Sequence, residues 1–350
     1  MMNTPTPIRA AISSYGMSGL VFHGPLLEAH PGFEIRKILE RNRNDSAGRH
    51  PGAELVRSYQ EILKDPGIEL VVVNTPDHLH YDMALQALEA GKHVVVEKPV
   101  TLQADQAARL ESLARNGNRI LSVFQNRRWD GDFLTVIEVI KSGKLGRLVS
   151  FESHFDRYRK EIKDSWKDQS NGTGTLYNLG SHLVDQALVL FGFPQRLYCD
   201  VRMLRDGAKT DDSFDLFLHY PGCKCLLRSS YLVREPGPRF ILHGTEGSFT
   251  VWGTDPQEEA LKTGQVPGST GWGRDIASSR GMIHTTSGMQ EMKGDYPIEA
   301  GNYLAFYDNI FNAIRKNETL EVTAGQAGSV IRVIEAAYRS GSEGRVIRFD

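Results

Sequence analysis

The sequence predicts an α/β fold in two domains, the first built on a parallel, doubly wound sheet and the second on a largely antiparallel open sheet. Three observations indicate this. The chain has 350 residues, more than one ordinary hydrophobic core accommodates. Short β-branched runs alternate with helical segments up to about residue 126, as in sheets covered on both faces. Beyond that point apolar and polar residues alternate, which is typical of antiparallel strands with one covered face.

Residues 1–126 are predicted to form the first domain, because strand-like and helix-like segments alternate there. Each predicted strand is a short apolar run; the strands lie at residues 8–13, 33–40, 68–74, 93–97 and 119–124. Helical spacing follows the glycines of residues 14–19 and recurs at 81–91, which ends on the stop signal Gly91, and at 103–118.

Residues 127–350 are predicted to form the second domain, with strands at 148–158, 213–220, 225–233 and 247–253. A helix over 175–192 is expected to cover one face of this sheet. The polar stretch 253–294 is long for a loop and is interpreted as either a functional lid or a locally disordered segment. Late helices are predicted at 302–314 and 325–341, in the second domain or packed back on the first.

Composition and charge narrow the classes of partner. The net charge is −2, with 40% hydrophobic and 24% charged residues, so nothing favours nucleic acid or an anionic membrane. No apolar stretch is long enough to span a bilayer, and the first ten residues do not resemble a signal peptide. The three cysteines indicate reduced thiols, and no cluster of metal ligands is found. We expect a cytoplasmic protein with a small-molecule substrate and no metal.

The stretch "SYGMSG" follows the first predicted strand and precedes a helix, where a Rossmann fold carries its glycine fingerprint. Glycines there allow a tight turn and a close approach of backbone N–H groups to a pyrophosphate. The predicted cofactor-binding residues of this turn are Ser14, Gly16, Met17, Ser18 and Gly19. Serine at the first position makes the match incomplete.

The end of the second predicted strand carries the signal for the choice of nucleotide. Glu40 lies 21 residues after Gly19, close to the spacing at which an acidic residue binds the ribose hydroxyls of NAD. Arg41 follows directly and would hold the 2′-phosphate of NADP. Glu40 therefore favours NAD and Arg41 favours NADP, while solvated charges at a strand end are the alternative interpretation.

Taken together, these segments resemble the Gfo/Idh/MocA family of nicotinamide-dependent oxidoreductases. "TPDHLHYDMALQALEAGKHVVVEKPV" is similar to the family's central signature, and several further segments resemble the branch that contains scyllo-inositol dehydrogenases, often NADP-linked; these lie at 122–136, 151–159, 174–186 and 254–267. The resemblance implies a Rossmann domain followed by a C-terminal α/β domain. It also implies that the open sheet forms the interface of a homodimer or homotetramer.

The resemblance assigns roles to residues around "HVVVEKPV". It implies that Lys98 lies beside the nicotinamide and the reacting hydroxyl, with Glu97 next to it. A lysine partly withdrawn from water can donate a hydrogen bond to a developing alkoxide; a solvated lysine is the alternative. Thr75 and Pro76 would line the nicotinamide side, and His80 would have a structural or cofactor-side role.

His182, in "YNLGSHLVDQ", is the second predicted catalytic residue. Asn178 stands where the family usually has an aspartate, so it can hydrogen-bond the imidazole but offers no negative charge. A histidine satisfied within the core is the alternative. The predicted polyol-binding residues are Asn126, Arg127, Trp129, Tyr158, Arg159, Trp166 and Asp185, several of which are equally typical of packing.

The sequence therefore predicts an NAD(P)-dependent oxidoreductase that transfers a hydride between a ring hydroxyl of a cyclic polyol or sugar and nicotinamide. Two alternatives stay open at this point. Ser14 and Asn178 are compatible with a cofactor-binding regulator that has lost catalysis. An NAD-dependent sugar-modifying enzyme of the glycosidase type would use the same cofactor only transiently.

Overall fold

The computed structural model describes residues 6–162, 173–274, 279–287 and 290–349. The chain divides into two compact units that are not continuous in sequence. The first comprises residues up to Trp129 together with 257–272 and 302–328, and the second comprises 130–256, 273–301 and the residues from 329 onward. Trp166, a predicted substrate residue, lies outside the described residues.

The chain up to Trp129 alternates strands with helices. The elements are β1 (Ile8–Ile12), α1 (Gly24–Ala29), β2 (Phe33–Leu39), β3 (Glu54–Val56), α2 (Tyr59–Leu63), β4 (Leu70–Val73), α3 (His80–Glu89), β5 (His93–Val96), α4 (Ala104–Asn116) and β6 (Leu121–Val123). A π-helical turn, Gly19–His23, precedes α1.

The six strands of the first unit form one parallel sheet in the order β3-β2-β1-β4-β5-β6. Every residue of β4 is buried, as expected where helices cover both faces, and this accounts for the near-continuous valines. The predicted parallel, doubly wound sheet is confirmed. Neither β3 nor α2 was predicted, because three residues of strand and five of helix show too little periodicity to detect.

The remaining chain adds helices and strands to both units. In chain order they are α5 (Gly131–Lys141), β7 (Leu148–His154), α6 (Gly174–Asn178), α7 (Gly180–Phe191), β8 (Arg196–Arg202), β9 (Ser213–Tyr220), β10 (Cys223–Ser230), β11 (Phe240–Gly244), β12 (Gly247–Gly253), α8 (Gln257–Lys262), β13 (Ser279–Ser287), β14 (Gln290–Tyr296), α9 (Leu304–Lys316), α10 (Ala324–Glu343) and β15 (Ile347–Arg348).

The second unit is built on a nine-stranded sheet in the order β14-β13-β12-β11-β7-β10-β9-β8-β15. Among the described residues of this sheet, β7 and β10 pair in parallel and the other neighbours pair antiparallel. One face packs in a core with apolar side chains of α5, α7 and α10. In β9, Phe214, Leu216 and Leu218 belong to this core, while Phe217 on the other face is 39% exposed. The predicted antiparallel sheet with one covered face is confirmed.

Two predictions about the second half of the chain need correction in detail. The stretch 253–294 is not one long loop, because it contains α8 and the β13–β14 hairpin. The helix predicted over 175–192 is interrupted at Leu179: α6 ends at Asn178 and α7 begins at Gly180.

Of the late helices, α9 belongs to the first unit. Within the described ranges, no helix is long and apolar enough to cross a membrane.

Candidate active site

The carboxyl ends of β1 and β4 lie side by side in the parallel sheet. Strands β2 and β3 extend the sheet in one direction from β1, and β4, β5 and β6 extend it in the other. The strand order therefore reverses between β1 and β4. In open α/β sheets, ligands bind in the crevice outside the strands' carboxyl ends at such a point. The loops after β1 and β4 therefore form the centre of a candidate nucleotide site.

The turn after β1 is closed by backbone contacts that leave no space at Gly19. A Cβ at Gly19 would lie 2.3 Å from the carbonyl oxygen of Ser14, so only glycine fits there. The Asn74 amide donates to the same Ser14 oxygen at 2.7 Å. Ser14 does not have a positive φ, so serine at the first fingerprint position causes no backbone strain. Gly16 and Met17 are exposed at the tip of the turn.

Several buried polar atoms at this edge have no hydrogen-bond partner in the part of the chain that the structure describes. They are Tyr15 Oη after β1, Asn74 Oδ1 and Thr75 Oγ1 after β4, and Gln125 Oε1 after β6. An unpaired buried polar group costs about 1–3 kcal/mol. Their concentration beyond the ends of three parallel strands indicates hydrogen-bonding capacity directed at a ligand, and these residues fit a dinucleotide. Tyr15 and Gln125 were missed by sequence reasoning, although their position directly after strands was a usable signal.

The Glu40 carboxylate is hydrogen-bonded to the loop that follows it. Its carboxylate accepts the backbone N–H groups of Asp45 at 3.0 Å and Ser46 at 2.8 Å, and the residue is only 5% exposed. Burial alone would raise the pKa of Glu40, but the hydrogen bonds from Ser46 and Asp45 outweigh it and hold the pKa below its usual range. Arg41 is exposed. In the structure, Glu40 therefore holds the loop that carries Arg41.

The Glu97–Lys98–Pro99 turn follows β5 and is held on two sides. Glu97 Oε2 accepts the backbone N–H of Lys98 at 3.0 Å. On the other side, the His80 ring lies between two carbonyl oxygens, with Nδ1 2.7 Å from that of Pro99 and Nε2 2.8 Å from that of Thr75. Lys98 is partly buried and its bond to Pro99 is cis. His80 thus connects the turn after β5 to the turn after β4.

The residues after β6 contact other segments of the first unit. Arg127 is buried and its Nη2 lies 2.5 Å from Glu258 Oε2 in α8. Burial would raise the pKa of Glu258, but the Arg127 guanidinium and the Lys262 ammonium together outweigh it, and the pKa falls to about 2. Trp129 is buried with its ring against Phe306, and Asn126 is buried as well. The binding of a polyol by these three residues stays a prediction.

In the second unit, His182 and Asp185 are almost completely buried in the first half of α7. The Asn178 amide donates to the hydroxyl of Tyr231 at 3.2 Å. Leu179 separates Asn178, the last residue of α6, from α7, which carries His182. The roles of His182, Asn178 and Asp185 stay predictions.

Tyr231 contacts one predicted polyol-binding residue, Arg159, and was itself missed. The guanidinium of Arg159 lies 5.4 Å from the centre of its ring and that of Arg205 lies 4.9 Å away. Arg205 is fixed by a buried ion pair with Asp212 at 3.0 Å. Tyr158 is 43% exposed and contacts Arg234 instead. Tyr231 directly follows β10, where the alternation of apolar and polar residues predicts only packing against the core. The sequence pattern therefore did not indicate this cluster.

Within the described ranges, no group of three or more His, Cys, Asp or Glu side chains is arranged to hold a metal ion. The chemistry of the first unit is instead that of a nucleotide site with a lysine at its edge. In the second unit, guanidinium groups meet an aromatic ring at Tyr231. Groups of this kind bind sugar hydroxyls and ring faces.

Comparison with known proteins agrees with this geometry. The family model described as "Oxidoreductase family, NAD-binding Rossmann fold" matches residues 8–125, and the one described as "Oxidoreductase family, C-terminal alpha/beta domain" matches residues 137–349. The chain is 40% identical to scyllo-inositol 2-dehydrogenase (NADP(+)) IolW of Bacillus subtilis, over 98% of this chain and 96% of IolW.

Two solved structures are similar over nearly the whole chain. The oxidoreductase yvaA from Bacillus subtilis is 40% identical, with a TM-score of 0.94 over 98% of this chain and 100% of that one. An oxidoreductase from Bacteroides fragilis is 46% identical, with a TM-score of 0.91 over the same shares. The chain therefore belongs to the Gfo/Idh/MocA family of oxidoreductases and is an NAD(P)-dependent dehydrogenase that acts on CH–OH groups.

Proposed function

We propose that this dehydrogenase is NADP-linked and acts on a ring hydroxyl of an inositol-like cyclic polyol. The observation that carries the proposal is the turn after β5. Glu97 and His80 hold Lys98 and Pro99 at the carboxyl edge of the sheet, next to the unpaired polar atoms after β4. The 40% identity to a relative named scyllo-inositol 2-dehydrogenase (NADP(+)) supports the substrate class.

The proposed chemistry divides between two side chains. The bound nicotinamide would supply the hydride acceptor or donor. Lys98 donates a hydrogen bond to the oxygen on the reacting carbon, which stabilises negative charge that develops there. His182 takes up the hydroxyl proton during oxidation and returns it during reduction. Asn178 supplies a neutral amide, so no carboxylate at that position stabilises the imidazolium.

NADP is proposed over NAD because of the loop after β2. Both oxygens of Glu40 already accept loop N–H groups, whereas Arg41 and Arg43 are exposed. A guanidinium recognises a phosphate by paired, charge-assisted hydrogen bonds. The 2′-phosphate would therefore meet a positive loop surface, with Glu40 holding the loop.

A homodimer or homotetramer formed through the open face of the nine-stranded sheet is also proposed. Phe217 is partly exposed there, and its strand neighbours are Tyr198 and Leu226. Light scattering after size exclusion is expected to give a dimer or tetramer for the parent and a smaller species for Phe217→Glu. Val266→Glu is the matched control, because Val266 is exposed in the first unit.

The test is a screen of inositols and aldoses with NADP and with NAD, followed by the absorbance of the reduced nicotinamide. The proposal expects net reduction of NADP by at least one inositol. Turnover of a glycoside without net reduction would favour the glycosidase type of reaction. Absence of turnover with every substrate would favour a regulator.

His182 is tested by replacing it with alanine. The chemical step is expected to slow by about 10²–10⁴-fold, the usual contribution of a positioned acid or base. Added imidazole should restore part of the rate if the lost group carried a proton. An unchanged single-turnover rate would remove His182 from the mechanism.

A further inference from the structure

A buried chain of hydrogen bonds leads from α9 to the turn that carries Lys98. The Tyr307 hydroxyl lies 2.7 Å from His23 Nδ1, and His23 Nε2 lies 3.2 Å from Glu97 Oε1. The other oxygen of Glu97 accepts the backbone N–H of Lys98 at 3.0 Å. The side chain of His23 is fully buried and that of Glu97 is 13% exposed. His23 is therefore one hydrogen-bonded group away from the backbone of Lys98.

The acceptor-only character of Glu97 fixes the direction of its hydrogen bond to His23. Burial would raise the pKa of Glu97, but the hydrogen bond from His23 and the positive charges nearby outweigh it, so the pKa lies below its usual range. An ionised carboxylate cannot donate, so Nε2 of His23 must carry a proton. In the neutral imidazole, Nδ1 is then an acceptor, and the Tyr307 hydroxyl donates to it. In this arrangement both ring nitrogens of His23 and the Tyr307 hydroxyl are hydrogen-bonded.

The local fold at His23 is unusual and is caused by the sequence "HGP". Pro25 has no N–H to donate to the fourth preceding residue, which disfavours a regular α-helix. Instead, the Gly24 N–H donates to the carbonyl of Gly19, five residues back, and the helix widens into a π-turn that ends at His23. Such turns are frequent at functional sites. The His23 ring is further fixed against Phe124, with ring centres 4.5 Å apart.

We propose that His23 and Tyr307 are positioning residues that hold Lys98 for the reaction through the Glu97 carboxylate. This rests on the proposed function, which gives Lys98 its contact with the reacting oxygen. His23 fixes one carboxylate oxygen so that the other stays on the Lys98 N–H. Tyr307 fixes the tautomer in which His23 can donate to Glu97.

The kinetic test compares His23→Leu, His23→Gln and Tyr307→Phe. His23→Leu removes both contacts, and kcat is expected to fall by about 10–100-fold, the range for a small misplacement of a catalytic group. Glutamine has a donor and an acceptor at similar reach and should restore part of kcat. Tyr307→Phe should have a smaller effect than His23→Leu. The dissociation constant for NADPH should change by less than about threefold, because the glycine turn is untouched.

The matched control is His30→Gln. His30 is also buried and contacts α9, with Nε2 2.9 Å from Asp308 Oδ1, but it has no contact with Glu97 in the structure. If the control lowers kcat as much as His23→Leu does, the effect is general destabilisation and the proposal is overturned. If all three test variants keep the parent's kcat, it is overturned as well.

A second measurement is independent of activity. Hydrogen exchange followed by mass spectrometry reports the backbone N–H of Lys98, and Pro99 contributes no N–H to the same short peptide. Exchange at Lys98 should accelerate by at least about tenfold in His23→Leu and stay unchanged in the His30 control. Unchanged exchange at Lys98 in a folded His23→Leu overturns the proposal. A parent that reduces no nucleotide with any polyol contradicts the proposed function instead, while this measurement still decides whether His23 holds Lys98.

Discussion

The two edges of the parallel sheet use the same residue types for different purposes. Lys92 and Lys98 lie at opposite ends of β5. Lys92 is buried and donates to the carbonyl oxygens of Asp65 at 2.6 Å and Ile68 at 2.9 Å. Lys98 follows the carboxyl end of the strand, where the chain holds its backbone N–H through Glu97. One lysine side chain connects loops of the protein, and the other is proposed to meet a substrate.

The same contrast extends to the neighbouring strands. Before β4, at the amino edge, Glu69 is paired with Arg315 at 2.9 Å and with Arg9 at 3.4 Å. After β4, at the carboxyl edge, Asn74 Oδ1 and Thr75 Oγ1 are buried without partners among the described residues. Polar groups at the amino edge are satisfied by the protein, whereas the carboxyl edge retains hydrogen-bonding capacity. This difference, more than any single motif, distinguishes a ligand site from a stable sheet end.

The largest expected effect is at Lys98. Lys98→Met should slow the chemical step by about 10²–10⁴-fold, while the dissociation constant for NADPH stays within about threefold, because the glycine turn after β1 is unchanged. Single-turnover kinetics and nucleotide titration measure the two quantities. A rate equal to the parent's would contradict the proposal that the carboxyl edge, unlike the amino edge, acts on a substrate.

Arg127 and Glu258 sharpen the comparison, because Arg127 follows β6 at the carboxyl edge yet is ion-paired within the protein. The folded-state pKa of Glu258 is lowered to about 2, so its contribution is fully present above its unfolded pKa and is lost as the pH falls toward 2. The contribution is at most about 3 kcal/mol. Between pH 6 and pH 3, the free energy of unfolding should fall less in Glu258→Gln than in the parent.

Urea denaturation at the two pH values measures this difference. Glu259→Gln is the matched control, because Glu259 is largely exposed and neighbours Glu258 in α8. A parent-like acid dependence in Glu258→Gln would show that the buried ion pair does not set it.

Lys92→Met tests the amino edge. The substitution leaves two carbonyl oxygens without their donor and should lower the free energy of unfolding by about 1–3 kcal/mol. Because Lys92 lies at the opposite end of β5 from the proposed site, kcat/KM should be unchanged at a temperature where the variant is folded. A loss of kcat without a loss of stability would contradict the assignment of the two edges.

The smallest expected effect is on the choice of nucleotide. Arg41→Ser should lower the ratio of kcat/KM for NADP to that for NAD by about tenfold, through loss of one charge-assisted contact to phosphate. Arg36→Ser is the control, because Arg36 is exposed in β2 and pairs with Glu34. An unchanged ratio in Arg41→Ser would show that Arg41 does not meet the 2′-phosphate.

Much of the fold could be predicted from the sequence. The valine runs of β4 and β5 and the alternation of β9 are local patterns whose period reports the type of structure directly. The same holds for the position of the glycine turn after β1 and of Lys98 after β5. The prediction missed β3 and α2, which are too short to show a period, and it also missed longer elements such as α5 and β8. It gave one helix where Leu179 separates α6 from α7.

The sequence by itself determined the two sheets, the nucleotide turn and the lysine at its edge, because each depends on residues close together in the chain. Only the tertiary structure decided which groups these residues meet. In it, the Glu40 carboxylate accepts hydrogen bonds from its own loop. Arg127 pairs with a glutamate 131 residues away, and His23 contacts a tyrosine 284 residues away. Hydrogen bonds and ion pairs depend on a few ångströms of separation, and packing brings together side chains whose spacing in the sequence carries no sign of it.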